Sequence, residues 1–304
     1  MLWVLLLGMV VDAVIGEPKW VWRHLPHPVV VIGKVIQVAD RFLNKGSARK
    51  AKGTLFLTFL VALGVGTGVL ISSLGPAASI ICIAILIAQR SLADHVNQVA
   101  KSLEVSLDQG RKTVGLIVGR ETQNMNESEV ASAAIESAAE NFSDGVIAPL
   151  FWFLVAGLPG LLTYKCVNTA DSMIGHKTPQ HRQFGWASAR CDDLLNVVPS
   201  RLSCLSLAIT GRVLHRMVRI AQDARLHRSP NAGWPEAAMA YSLDVALAGP
   251  RNYGTGKQPF PWVNQQGNYA KGSDIRRSTK MLWSCWTLIL ALTAVALTSQ
   301  TLIF

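Results

Sequence analysis

The stretch GTLFLTFLVALGVGTGVLISS, residues 53–73, contains no charged side chain, and neither does AASIICIAILIAQ, residues 77–89. The first is long enough to cross a hydrocarbon core of about 30 Å, which takes ~20 apolar residues in a helix. The second is shorter. Pro76 suits a helix start, and Arg90 can snorkel from the far end, so 76–90 reads as the return arm of a membrane hairpin. The competing reading is a set of buried helices in a soluble all-α protein, but an uncharged run as long as 53–89 is rare in such chains. Residues 281–304 form another uncharged stretch of spanning length.

The composition agrees. Of 304 residues, 50% are hydrophobic and only 16% charged, against roughly 25% charged in an ordinary soluble domain. With a mean hydropathy of +0.30, this excludes a disordered chain, a coiled coil and a disulfide-stapled miniprotein. The net charge of +10 by itself would admit a nucleic-acid binder. The uncharged stretches point instead to membrane lipids, with no nucleic-acid partner.

Residues 1–16 are apolar apart from Asp12. No Lys or Arg precedes this run and no A-x-A site follows, so it reads as a retained membrane helix rather than a cleaved signal. Asp12 is then expected to face a polar site or the protein interior. Segment 17–52 carries eight Lys and Arg and 212–280 carries eleven, which places both on the cytoplasmic face. The apolar run 146–163 is broken by Gly157-Leu158-Pro159-Gly160. A single crossing would put 164–200 outside. A re-entrant hairpin keeps the polar motifs on one face and is the reading preferred. The whole is one domain, 1–304, all-α, a polytopic integral membrane protein with about four or five membrane helices. Its segments lie near 1–16, 53–73, 76–90, 146–163 and 281–304, with cytoplasmic helices and loops over them.

Smaller signals are mostly structural. Cys82, Cys166, Cys191, Cys204 and Cys285 show no C-x-x-C spacing and read as packing residues, and zinc is not expected. Gly64 and Gly68 form a G-x-x-x-G pattern suited to close helix packing. Gly66 lacks the strand–turn–helix context of a nucleotide loop, and no Walker A sequence occurs. Trp20, Trp22, Trp283 and Trp286 near span ends fit an interfacial belt.

Five polar stretches need more explanation. In 91–108, Leu92, Val96, Val99, Leu103 and Leu107 recur at helical spacing, and Asp94, His95 and Asn97 read as surface groups. In ASAAIESAAENFSDGVIAPLF, 131–151, the alanines favour helix and Glu136, Glu140 and Asp144 fall at i, i+4 and i+8. Like charges at that spacing repel. Either the face is simply hydrated, or a cation or basic partner sits between the carboxylates. The latter is favoured because an apolar segment follows at once.

Segment 164–175 adds Asn168, Asp171 and Ser172, and 184–201 adds Arg190, Asp192, Asp193 and Asn196. These hard oxygen donors suit Mg²⁺. Adjacent aspartates point different ways on a helix, so one can bind metal while the other pairs with Arg190 or caps a helix. In 228–240, Pro235 and Glu236 fit a first helical turn, and Asn231-Ala232-Gly233 is either a plain loop or an anion-holding turn.

At these motifs the sequence resembles the CobD/CbiB family of membrane enzymes of late cobalamin biosynthesis, the adenosylcobinamide-phosphate synthases. The residues that carry the likeness are LPHPVVVIGKVI (25–36), VGRET (118–122), AIESAAENFSDGVIAPLFW (134–152), GLPGLLTYKCVNTADSMIGHK (157–177), FGWASARCDDLLNVVPSRL (184–202) and SPNAGWPEAAMA (229–240). Gly16-Glu17-Pro18 stands where the family usually reads G-D-P, and Tyr241-Ser242 where small residues are usual. AmpE-type membrane proteins share the architecture but lack most of these motifs.

The resemblance implies ATP- and Mg²⁺-dependent amide ligation of adenosylcobyric acid with (R)-1-amino-2-propanol or its O-phosphate. It also implies a bacterial inner-membrane location with the active site facing the cytoplasm, beside other late cobalamin-assembly enzymes. On this reading Glu136, Glu140, Asp144, Asp171, Asp192 and Arg190 are catalytic. Glu140, Asp144, Asp171, Asp192 and Asp193 hold metal. His27, Arg120, Asn141, Asn168, Ser172, Lys177 and Asn231 bind substrate. Four of these stretches are expected to converge at the inner lipid boundary. The alternatives are a non-catalytic AmpE-like sensor or scaffold, and a corrinoid transporter.

Overall fold

The structure is a computed structural model that describes residues 1–253, 256–258 and 260–303, apart from the side chains of residues 19, 251–253, 256–258 and 301–303. Phe304, the last residue of the uncharged stretch 281–304, lies outside the described residues. The chain divides into two units. The first comprises Met1–Ala88, Ala148–Val197 and Thr293–Phe304, and the second Gln89–Ile147 and Val198–Leu292.

The first unit begins with α1 (Leu2–Ile15), α2 (Lys19–Trp22), α3 (Pro28–Leu43), α4 (Arg49–Ser73) and α5 (Pro76–Leu86). At 14 residues, α1 is about 21 Å long, shorter than the hydrocarbon core. It packs on α5, where Gly8 lies against Ile83, and Asp12 is buried at 2% exposure, as expected. Helix α4 extends four residues before the uncharged run, with arginine and lysine in its first turn.

In the second unit α6 (Gln89–Val105) buries Val96 and Val99, and leaves Asp94 and His95 exposed. The expected helix 91–108 stops early. Ser106 turns extended and its Oγ accepts from the Gln109 amide, capping a new helix, α7 (Leu107–Val114). Then comes α8 (Glu127–Phe142), opened by a capping box in which Asn126 and Glu129 satisfy each other's backbone amides. Its alanines are buried nearly all round, packed by α6, α7 and α13 (Gly233–Leu243). A π-helical turn, Ser143–Ile147, ends it.

Back in the first unit, α9 (Ala148–Ile174) breaks at Ala156–Gly157, where Gly157 has φ +64° and ψ −154°. Gly160 lies against the carbonyl of Trp152. Eight residues of straight helix advance about 12 Å, so the chain bends back sharply there. The returning limb runs antiparallel to α4, with Gly64 against Thr163 and Gly68 against Pro159. A Cβ on Gly68 would stand 2.4 Å from the Pro159 Cα, whereas Gly66 meets nothing within 4 Å. The G-x-x-x-G pattern is therefore the seam between these helices. Ile36, Ala39, Phe56, Leu60, Cys166, Ala170, Ile174 and Phe184 form the adjoining core. α10 (Trp186–Leu195) packs on α9 and α4.

The second unit continues through α11 (Val197–Thr210), a 3₁₀ turn at Leu214–Arg216, α12 (Met217–Ala224), α13 and a small sheet. In that sheet β1 (Val245–Ala248) pairs with β4 (Trp262–Val263) antiparallel and with β5 (Asn268–Tyr269) parallel, while β2 (Arg251–Tyr253) and β3 (Gly256–Gln258) pair with each other. The all-α expectation missed these short strands. α14 (Gly272–Ile303) follows. Trp286 on it is only 3% exposed, so it packs inside the protein rather than in an interfacial belt, unlike Trp20 at 72%.

Four helical stretches are long and apolar enough to cross a membrane: Arg49–Ser73, Pro76–Val105, Glu127–Ile174 and Gly272–Gln300. The protein is an all-α polytopic membrane protein. The seam makes a direct prediction: Gly68→Ala destabilises the fold by the ~1–3 kcal/mol typical of overpacking and so lowers the midpoint of thermal unfolding in detergent, while Gly66→Ala does not lower it. Fluorescence-detected thermal melts of the two variants measure this.

Candidate active site

In the first unit the stretches 164–175 and 184–201 meet. Asn168 donates to one Asp192 oxygen at 3.1 Å and Asn196 to the other at 3.0 Å. The Tyr164 hydroxyl in turn donates to the Asn196 carbonyl oxygen at 3.0 Å. Asp192 is only 8% exposed. Burial pushes its carboxyl above the usual range; the two amides oppose this, and the charge of Asp193 adds to it. Asp193 lies 3.5 Å from Arg190, the ion pair expected for one of the two adjacent aspartates.

Asp171 follows Asn168 by three residues and so shares its helix face. It is half-buried at the end of α9, and a Cβ on Gly175 would overlap its carboxylate. Ser172 and Lys177 are exposed. Lys165, in the same limb, is 8% exposed and escaped sequence reasoning because it lies inside an apolar run.

His27 has a structural task. Its Nδ1 accepts from the Val29 amide at 3.2 Å, capping α3, and its ring meets Trp22 edge-on at 4.5 Å. Burial lowers its pKa, with the Glu17 carboxylate acting the other way. Glu17 is the acid of the Gly16-Glu17-Pro18 departure.

In the second unit the VGRET loop meets the alanine-rich helix. Arg120 donates to Glu136 at 3.0 Å, and the other Glu136 oxygen accepts from Ser132 Oγ and the Ala248 amide, each at 2.9 Å. Glu136 therefore ties α8 to the VGRET loop and to the end of β1, and Arg120 is engaged with it rather than held ready for phosphate. Glu140 and Asn141 are exposed, and Asn141 donates to the Ser137 carbonyl at 2.9 Å. The three-carboxylate row is interrupted. The π turn starts at Ser143, so the 3.6-residue period that aligned Asp144 with Glu136 and Glu140 ends before Asp144, which is half-buried.

The 228–240 stretch opens α13 as expected, with Glu236 in its first turn. Asn231-Ala232-Gly233 is not an open anion turn. Ser229 Oγ accepts from the amides of Asn231 and Ala232, both at 3.2 Å, and the Asn231 side-chain oxygen accepts from Ser200 and Arg201. Arg201 stacks on Trp234 at 4.7 Å. Tyr241, the second departure, donates to Asp223 at 3.1 Å, and Asp223 also accepts from the Asn264 amide at 2.8 Å.

Among the described residues no three His, Cys, Asp or Glu side chains gather closely enough to hold an ion. Mg²⁺ commonly takes only one or two carboxylates, with waters and phosphate oxygens completing its shell. Asp171, on the helix face of Asn168, supplies one hard oxygen donor of that kind.

The family model described as CobD/Cbib protein matches residues 5–282. A protein of Sinorhizobium sp, "Cobalamin biosynthesis protein CobD", is 47% identical over 94% of this chain and 95% of its own. Proteins of the same name from Rhizobium meliloti (strain 1021) and Brucella suis biovar 1 (strain 1330) are 45% and 44% identical, covering 97% and 96% of this chain and 96% of their own lengths. No solved structure matches.

An acid whose folded pKa lies above its unfolded value contributes stability that is full below the unfolded pKa and is lost as pH rises through the folded value. Asp192 is such an acid. Asp192→Asn removes the cost of burying the charge, so it melts higher than wild type at pH 7.5. The gap narrows as pH falls through the carboxylate range. Melts across that range, with equal gaps at every pH as the contrary result, measure it.

Proposed function

Because the chain belongs to the CobD/CbiB family, we propose that it is the cobalamin-biosynthesis enzyme joining adenosylcobyric acid to (R)-1-amino-2-propanol or its O-phosphate. The observation that carries this is near-full-length identity of 44–47% to proteins named for cobalamin biosynthesis. A role in cobalamin biosynthesis follows from the family. The ligase chemistry is the reading argued below.

A carboxylate is a poor acceptor for an amine, and amide formation needs it activated. Magnesium and ATP, when bound, supply the phosphoryl group that converts the propionate carboxylate to an acyl phosphate with release of ADP. The amine then attacks the acyl carbon, phosphate leaves, and the amide forms. Asp171 and Asp193 would hold the ion. Asp192 suits the base that takes the proton from the attacking ammonium: its raised pKa makes it a better acceptor than an ordinary aspartate. Asn168 and Asn196 fix its orientation. Arg190, more than half exposed and loosely paired, can offset phosphoryl charge.

In the second unit, Glu140 is an exposed carboxylate and Asp144 lies at the π turn, and each is assigned to the reaction by the family resemblance alone. Asn141, Ser172 and Lys177 are assigned to polar groups of the corrinoid and the amino alcohol. Glu136, His27 and Asn231 hold loops in place, on the bonds described above. The enzyme is assigned to the bacterial inner membrane, its site facing the cytoplasm and the other late assembly enzymes.

The purified protein in lipid nanodiscs, given cobyric acid, aminopropanol phosphate, Mg²⁺ and ATP, is expected to release one ADP per amide formed. Asp192→Ala and Glu140→Ala each lose about 10²-fold or more in rate, the range for a positioned acid–base or charge-stabilising group. Amide formation at wild-type rate in both variants would remove them from the site. Absence of nucleotide turnover in the wild type would favour a scaffold, and vesicle uptake without amide product a transporter.

A further inference from the structure

Helix α11 and the segment after it present an apolar surface outward. Val198, Leu202, Leu205 and Ile209 are each 40–48% exposed. They fall at i, i+4, i+7 and i+11, one face of the helix. Beyond it, Leu214 is 47%, Val218 72% and Leu226 55% exposed. α12 buries Ile220 and Ala224, which puts Val218, Arg219, Arg225 and Leu226 on the opposite side. That face of α12 carries aliphatic side chains, arginines and Gln222 together.

The charge of this surface has one sign. Residues 211–228 contain Arg212, Arg216, Arg219, Arg225 and Arg228 against one acid, Asp223. Asp223 is already engaged by Tyr241 and the Asn264 amide. Arg216 pairs with Asp244, and Arg228 lies over the Phe260 ring. Arg212, Arg219 and Arg225 are exposed.

The same unit fixes the height of this surface along a membrane span. Thr210 Oγ1, at the end of α11, lies 3.1 Å from Cys285 Sγ on α14. Cys285 stands five residues beyond Lys280, the last charged residue of α14, so about 8 Å past it. The end of α11 therefore sits within about 8 Å of the charged end of α14, one to two helical turns into its uncharged stretch.

We propose that the 198–228 surface lies on the bilayer, its aliphatic side chains among the acyl-chain ends and Arg212, Arg219 and Arg225 on the phosphates of anionic phospholipids. This is an in-plane contact, additional to the spanning helices and independent of the ligase reading. It makes the protein sensitive to the anionic lipid content of one leaflet.

The test is hydrogen–deuterium exchange on the full-length protein in nanodiscs of phosphatidylcholine alone and of phosphatidylcholine with 30% phosphatidylglycerol. Each arginine near an anionic surface biases contact roughly five-fold, so peptides covering 211–228 should exchange at least ~10-fold more slowly in the anionic discs. The Arg212→Gln/Arg219→Gln/Arg225→Gln variant, with its spans intact, should lose the difference, and 0.5 M salt should shrink it. Equal exchange in both lipids overturns the proposal, whether the segment is open in both (a surface for a protein partner) or protected in both (insertion without charge recognition).

Discussion

A carboxylate in a protein interior must be held by donors or give up its charge. In the first unit that constraint is Asp192, with one amide on each oxygen. The donors come from different elements, Asn168 from the returning limb of α9 and Asn196 from the end of α10. They can meet only because that limb is anchored against α4, and the anchoring rests on Gly64 and Gly68, where no side chain separates the backbones. Packing in the apolar layer thus sets the position of a polar group outside it. The amides draw the carboxyl pKa down while burial drives it up, and burial is the larger effect.

The second unit is organised around another buried acid with the opposite character. Glu136 has an arginine, a hydroxyl and a backbone amide on its two oxygens. Breaking such a pair costs far more than the pair contributes, because the partner is left charged and dry. Its helix is built of alanines, which let α6, α7 and α13 close in on nearly every side. Glu140, one turn on, escapes to the surface, and the π turn then re-aims the chain at Asp144. Three acids that share a spacing in sequence therefore have three different environments.

Much of this was legible in the residues. The absence of charge in 53–89 and 281–304 marks the spanning helices, Gly64 and Gly68 mark the seam, and Gly157 to Gly160 mark the reversal. Each is a local signal whose cause is local. That one of the adjacent Asp192 and Asp193 pairs with Arg190 also follows from helical geometry. What escaped depends on tertiary context. Strands of two to four residues between 245 and 269 are too short to show an alternating pattern. The π turn inserts no distinctive residue, yet shifts the register of all that follows. Trp286 looks like an interfacial tryptophan until its neighbours bury it, and the Asn231 turn looks open to anions until Ser229 fills it.

The central claim is that this chain makes an amide by way of an acyl phosphate formed on the corrinoid carboxylate. Isotope transfer reads that step directly. With ¹⁸O in the free propionate carboxylate and unlabelled nucleotide and water, each turnover should deliver one ¹⁸O into the phosphate released, as mass spectrometry would record. Amide formed alongside wholly unlabelled phosphate would contradict the account, because the carboxylate oxygen would then never have been bonded to phosphorus.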